Sequence, residues 1–511
     1  MKRNFTEREE KIKVEGVLTN FQQRKIHKRR QKFDFVSEHS KKASLLLPED
    51  AGTIQAEENE STCAITQKDI CQSVDIASSS KHFSLDLKQF GPYRIDYSKN
   101  GRFLLLGGKM GHVAALDWLT KDLLCEMNVM ESVRDVKWLH NQLMYAVAQK
   151  RFTFLYDSHG TELHCLKMLN DVLCLDFLPY HFLLAASSSK SFLHWLDVSM
   201  GKLVASFPTK GGPLKVMRQN PANAILHCGQ SLGIVSLWSP NVKEPLAKMI
   251  CHQGPVQSLD VESTGTYMAT SGSDKMIKIW DLRNFKSLFE YKVTKSAQNV
   301  AFSQRKHLAC NVSSDIYIFQ DICRTQQHGP YLRHNLNEVT TDLQFCPYED
   351  VLGVGHKSGF ASLLVPGSGE PNIDVYEANP YQSKTQRREA EVRGLLDKIQ
   401  PEMITLHSDL IAHVDKNVAE KALKEKLDLL YKKKVSNREI HLKHKAKGKS
   451  ASSNVQKRKL LVRSAKQKEL LNNQKSVRKE LTEAGVLDVE KKQKGRKFES
   501  VLDRFLPKER Y

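Results

Sequence analysis

Through the middle of the chain, apolar and polar residues alternate in short runs, among them YRIDYS, RDVKWL, VLCLDF, VQSLDV and TTDLQF. Turn residues follow each run, KNG in one copy and STG in another, and then a small, apolar run such as FLLLGG, LLAASS, YMATSG or VLGVGH. A second polar turn leads into a third run, anchored at Leu116, Tyr156, Leu196, Trp238, Trp280, Phe319 and Leu364 in successive copies. The anchors lie 40, 40, 42, 42, 39 and 45 residues apart. Period-two alternation punctuated by Gly, Asn and Ser predicts short antiparallel strands. Four strands per unit at this period predict an all-β chain built as a seven-bladed propeller, whose radial repetition protects the sheet edges.

The stretch SGSDKMIKIWDL (271–282) is the best-kept copy. His252, Asp274 and Trp280 match the polar set that ties the strands of a WD40 blade, with Ser271 or Thr270 as the hydroxyl member and Ser271 taken first. Such buried polar groups need one another as partners. The remaining copies lack the full set and must rely on apolar packing. After Val365, Pro and Gly residues stop any further strand, so the seventh unit is one strand short. HFSLDLKQF (82–90) alternates without a unit of its own. Residues 82–88 are therefore expected to complete the last blade of a propeller spanning 81–372.

Charge changes the picture outside the repeats. The net charge is +20, and residues 371–511 hold +14 of it, against +2 for 1–90 and +4 for 91–370. Within 432–468 there are fourteen Lys/Arg and one acid, Glu439. A nearly neutral body with a basic tail favours polyanionic partners. Residues 1–80 read as a charged, partly helical extension. KIHKRRQK (25–32) fits a nuclear import signal or a solvated helix face equally, and the acidic, Ser-rich 51–80 reads as a mostly unpacked linker. Residues 373–434 read as a helical segment in which Ser383 caps KTQRREAEVRGLLDKI and Pro401 stops it. In the basic tail, 435–511, Lys443, Lys445, Lys447, Lys449, Lys457, Arg458 and Lys459 join Lys432, Lys433 and Lys434 as candidate phosphate contacts; the alternative is a targeting run. Phe498, Val501, Leu502, Phe505 and Leu506 fall on one helical face at its end, fit for docking on a partner or folding back.

Little in the chain suggests chemistry. His252 and Asp274 could be taken for a catalytic pair, but the blade pattern already accounts for them. GVGHKSG (353–359) lies between two strands, and its glycine spacing does not suit a dinucleotide. His441 and His444 sit in a lysine tract without Cys or paired acids, which argues against a metal. There is no P-loop or HExxH. The ten cysteines include no CxxC pair, and several lie in apolar runs, as expected of reduced core residues. The N-terminal MKRNFTEREEKIK has no apolar signal region, and no run approaches the ~18 apolar residues of a membrane helix. A soluble intracellular protein is expected, with neither catalytic residues nor a cofactor or metal.

The stretches FGPYRIDYSKNGRFLLLGGKMGHVAALDW, LQFCPYEDVLGVGHKSGFASLLVPGSGEPN and NPYQSKTQRREAEVRGLLDKIQPEMI resemble the WD-repeat U3 snoRNA-associated proteins of the small-subunit processome. STGTYMATSG, LLLPEDAG (45–52) and the terminal VLDRFLP also fit, and the likeness runs over roughly 40–410. It implies a nucleolar assembly factor for 18S pre-rRNA processing and 40S ribosome biogenesis. Such a factor would act by binding U3 RNA, pre-rRNA and other processome proteins, with no membrane or small-molecule substrate. The competing expectation is a propeller that serves as a substrate receptor or chromatin-reading adaptor.

Overall fold

The second strand of each repeat explains why the blades stack. Phe103–Gly108, Leu183–Ser188, Tyr267–Gly272 and Val351–His356 are buried along nearly their whole length, because another blade presses on each side. Small residues are therefore needed where inner strands meet. A Cβ on Gly107 would stand 2.5 Å from Val136 of the next blade, and one on Gly229 would stand 2.9 Å from Val256. The outermost strands face water on one side and carry charges: Asp122–Asn128 and Lys286–Lys292 alternate between exposed and covered positions.

The computed structural model describes residues 19–44, 46–47, 49–55, 60–327, 329–406, 416–431 and 449–483. Among these, seven antiparallel sheets of four strands each form a β-propeller, with blades at 93–128, 133–170, 172–208, 216–250, 256–292, 300–335 and 340–364. The strand Phe83–Asp86 adds to the seventh sheet, pairing Phe83 with Ser362 and Asp86 with Gly359. Blade 7 is thus built from both sides of the repeat region, and the ring is closed.

A second device closes the ring at its axis. Aspartates of the inner strands accept backbone N–H groups from the following blade: Asp96 from Trp138 (2.7 Å), Asp135 from Leu175 (2.7 Å), Asp176 from Gln219 (2.9 Å) and Asp260 from Phe302 (2.6 Å). Asp342 accepts from Ile95 at 3.1 Å, joining blade 7 to blade 1. Charges in the low-dielectric centre must be paired. Lys137 lies 2.9 Å from Asp96 and 3.5 Å from Asp176, Arg218 lies 3.6 Å from Asp260, and Arg94 lies 3.7 Å from Asp342.

The reading of 51–80 as an unpacked linker is corrected: the Ile54 amide donates to the Tyr331 hydroxyl at 2.9 Å, and the chain from residue 60 onward is packed as well. Helix α1 covers Asn20–Ser44; α2 (Gln67–Ser73) and α3 (Ile76–Ser79) follow a 3-10 turn at Thr62–Ala64. Thr66 and Asp69 form a capping box at the start of α2, so the polar composition serves the cap. Ile70 is buried in the same apolar cluster as Leu364 and Tyr331, with Ile65, Cys71 and Val74 packed against it. The physical reason is the edge of blade 7, which this segment covers.

After the propeller come α4 (Val375–Ala378) and α5 (Lys384–Leu396). Ser383 and Gln386 close a capping box on α5, which ends at Leu396 before the expected DKI and Pro401. The backbone leaves the helix there because the Ile399 amide donates to the Tyr180 carbonyl of the propeller at 2.9 Å. The expected single segment 373–434 is divided: the chain separates into units 1–408 and 409–511. In the second unit, α6 (Lys416–Tyr431) meets α7 (Ala451–Glu483) through a Lys426–Glu480 ion pair at 2.9 Å and a Gln474 side chain that donates to the Leu429 carbonyl.

Candidate functional site

His252 is the centre of the polar set in blade 5. Its Nδ1 lies 2.9 Å from Asp274 Oδ2, and its Nε2 lies 2.9 Å from Thr270 Oγ1. Trp280 Nε1 donates to the same Thr270 hydroxyl at 3.0 Å. The hydroxyl member is therefore Thr270, and the assignment to Ser271 is corrected. Adjacent strand residues point to opposite faces, so Ser271 turns away and donates instead to the Ala297 carbonyl at 3.0 Å, on the way to blade 6. An acid, an imidazole and a hydroxyl in line resemble a hydrolase triad. Here Thr270 is fully buried and engaged by Trp280, so its oxygen has no route to a substrate. Burial costs Asp274 ionisation, yet the bonds from His252 outweigh it and hold the carboxyl below its ordinary pKa.

The two faces of the disc differ. On one face lie the turns joining first to second and third to fourth strands; the connections between blades and the second-to-third turns lie on the other. A strap of residues 374–404 crosses the first face beneath blades 1–4. Arg102 donates to the Pro380 carbonyl at 2.8 Å, His140 lies 3.2 Å from Glu391, and Asn241 donates to the Glu402 carbonyl at 2.8 Å. Lys398 pairs with Asp197 and bonds Ser199 at 2.8 Å. Burial disfavours the Asp197 anion, but the bonds from Lys398 and Ser199 win and lower its pKa. Ser239 donates to the Ile404 carbonyl at 2.8 Å, and the Ile404 side chain enters the core cluster of Trp238.

Between strap and blades 1–3 is a cavity of about 430 Å³ that Lys99, His140, Tyr180, Glu377, Glu391 and Arg393 help to line. Glu377 accepts from Lys99 (3.1 Å) and Tyr180 (3.2 Å), so these charges satisfy one another. Among the described residues no group of three or more His, Cys, Asp or Glu could hold a metal, and no helix is long and apolar enough to cross a membrane. All ten cysteines are free. Burial pushes the thiols of Cys174, Cys251, Cys310 and Cys323 up to about 12, which makes them core residues and not nucleophiles.

The basic candidates fall unevenly. Lys449 precedes α7 and is exposed; on α7, Arg458 and Lys459 are exposed and Lys457 half-exposed. The 456–468 run is thus helical. Lys432, Lys433, Lys434, Lys443, Lys445 and Lys447 lie outside the described residues, as do His441, His444 and the stripe Phe498, Val501, Leu502, Phe505 and Leu506. KIHKRRQK lies within α1, whose described side chains are all exposed or half-exposed. The same helix leaves Phe21, Phe33, Phe35 and Val36 exposed among its charges. The sequence reading missed the axial aspartates, although their signal was there: an Asp recurs in the first strand of five repeats, as Asp96, Asp135, Asp176, Asp260 and Asp342.

A closed ring of seven four-stranded blades, with a His–Thr–Asp–Trp set in one of them, defines a WD-repeat propeller. A WD domain (G-beta repeat) matches residues 243–281, and a BING4CT (NUC141) domain matches 330–407, which takes in blade 7 and the strap together. WD repeat-containing protein 46 of Caenorhabditis elegans is 46% identical, covering 97% of this chain and 85% of that protein. The Homo sapiens protein of the same name is 49% identical over 82% of this chain and 69% of its own length. U3 small nucleolar RNA-associated protein 7 of Saccharomyces cerevisiae is 41% identical over 81% and 80%. The chain belongs to the family of these WD repeat-containing 46 and U3-associated 7 proteins.

Proposed function

We propose that this protein is a non-catalytic assembly factor of the nucleolar small-subunit processome, acting in 18S pre-rRNA processing and 40S ribosome biogenesis. The observation that carries the reading is its relation along most of its length to a protein named for association with U3 small nucleolar RNA. A rigid disc offers many faces to neighbouring proteins, and the basic extensions supply phosphate contacts without sequence reading. Lys432, Lys433, Lys434, Lys443, Lys445, Lys447, Lys449, Lys457, Arg458 and Lys459 engage U3 RNA or pre-rRNA. Phe498, Val501, Leu502, Phe505 and Leu506 dock on a processome protein.

The test is purification of the tagged chain from nucleoli. U3 RNA should accompany it in large particles that fall apart with rising salt, and depletion of the protein should leave 18S precursors unprocessed. Recovery with cullin machinery or nucleosomes and without U3 RNA would favour the substrate-receptor or chromatin-adaptor reading instead.

A further inference from the structure

The face opposite the strap carries an uneven charge. Its turns and blade-to-blade connections hold ten Lys/Arg and four Asp/Glu. Half of those cations, Lys150, Arg151, Lys190, Lys210 and Lys215, belong to blades 2–4, where they face one acid, Asp171. All five are exposed. On the strapped side of blades 2 and 3, the turns 139–143, 158–161, 179–182 and 198–201 contain no Lys, Arg, Asp or Glu at all.

Backbone bonds join the basic turns into one strip. The Asp171 amide donates to the Arg151 carbonyl (3.0 Å), Ser189 to Asp171 (3.0 Å) and Thr209 to Ser191 (2.8 Å). Lys190 lies 3.1 Å from Asp171 and neutralises the single acid. Aromatic rings sit at repeat-equivalent places beside the cations. Phe152 follows Arg151, whose guanidinium stands 5.5 Å from the ring centre, and Phe192 follows Lys190 by two positions. Phe192 is 38% exposed and stacked on His194 at 6.0 Å and 10°. A large apolar ring left in water among cations is a platform on which a base can stack, while the cations track the backbone.

We propose that this strip over blades 2–4 is a binding surface for single-stranded RNA, with Lys150, Arg151, Lys190, Lys210 and Lys215 on phosphates and Phe192 under a base. The proposal rests on the RNA-binding reading above and adds a second surface, on the propeller itself. Duplex RNA would not expose base faces to Phe192, and an acidic protein segment would use the lysines without the ring.

The test uses the full chain and a labelled oligouridine of about 20 nucleotides, titrated between about 50 and 200 mM salt. Changing all five cations to Gln should reduce the slope of log affinity against log salt by about 3.5, at ~0.7 per lost contact on a single strand. Lys457→Gln, Arg458→Gln and Lys459→Gln on α7 should reduce it independently, so that the two sets add. Phe192→Ala should weaken binding by at least about fivefold with the slope unchanged. Photocrosslinking of a 4-thiouridine oligomer to the unaltered chain should label peptides around 150–152 and 190–192, whatever the variants do to folding. A wild-type slope in the five-Gln protein, with a well-folded melt and no crosslink to these turns, overturns the proposal. So does a Phe192→Ala protein that binds RNA normally while the five-Gln protein loses polyglutamate, which would mark an acidic protein as the occupant. Particles without U3 RNA from a chain that still crosslinks through this strip would sink the processome reading alone.

Discussion

Gln67 bonds the backbone of Leu364 twice: its Nε2 donates to the Leu364 carbonyl and its Oε1 accepts the Leu364 amide, each at 2.9 Å. One side chain thus continues the pairing where Phe83–Asp86 does not reach, and α2 becomes part of blade 7.

Deleting 82–88 should accordingly lower the melting temperature sharply, because edge pairing and the contacts of Phe83 and Leu85 with the blade 7 cluster go together. Gln67→Ala should cost about 1–3 kcal/mol, the desolvation penalty of buried backbone groups left unsatisfied. Chemical denaturation of the two variants checks both, and a chain starting at residue 91 that melts like the full propeller excludes this closure.

In blade 5, Thr270→Val should be the more damaging of two neighbouring changes. It keeps the shape but removes the oxygen shared by His252 Nε2 and Trp280 Nε1, leaving buried groups without partners at about 1–3 kcal/mol each. Ser271→Ala leaves a single buried group, the Ala297 carbonyl, without its partner and should cost about 1–3 kcal/mol once instead of twice. The reverse order in urea denaturation would return the central role to Ser271.

The contrast between these two residues shows what could be read in the chain. Blade number and closure follow from alternation and spacing, which are local and repeated. The choice of Thr270 over Ser271 depends on which face of a strand meets Trp280, and a register one residue away reverses it. The packing of 60–80 was hidden for another reason: its composition resembles a linker, while its apolar contacts through Ile70 lie with blade 7, nearly 300 residues later. The strip of Lys190 and Phe192 was hidden in the same way, since only the ring geometry gathers its turns on one face.

Asp135 should make stability depend on pH in an unusual direction. Burial pushes its carboxyl up from 3.8 to about 6, although Arg94, the Leu175 amide and Lys137 favour the anion; Asp342 adds repulsion and Cys174 lies beside it. Between about pH 4 and 6 the folded protein holds a proton that the unfolded chain has released, so this group's contribution is lost as pH rises through 6. The effect is of order 3 kcal/mol at neutral pH. Asp135→Asn keeps an acceptor for Leu175 and cannot ionise. It should therefore raise the melting temperature relative to the unaltered protein more at pH 7 than at pH 5. Equal effects at both values would show that Arg94 keeps the carboxylate ionised throughout.

The strap should come loose before the propeller does. Ile404 is 2% exposed and lies in the cluster of Trp238, so Ile404→Ala should cost about 2–5 kcal/mol if the strap stays docked. Lys398→Ala removes the cationic partner of Asp197 in a pair whose side chains are 12% and 8% exposed, and pairs this covered are costly to break from one side. Neither cost can exceed the free energy that holds the strap down, because the segment can detach and return Asp197 to water. Local opening of this kind takes the cheaper route. The double variant should then show fast amide exchange and protease cleavage across 384–396, while the inner strands remain protected and the main melting transition shifts little. Exchange across α5 that stays as slow as in the unaltered protein would mean that Arg102, His140 and Asn241 hold the strap without Ile404 and Lys398, and that docking is spread along its whole length.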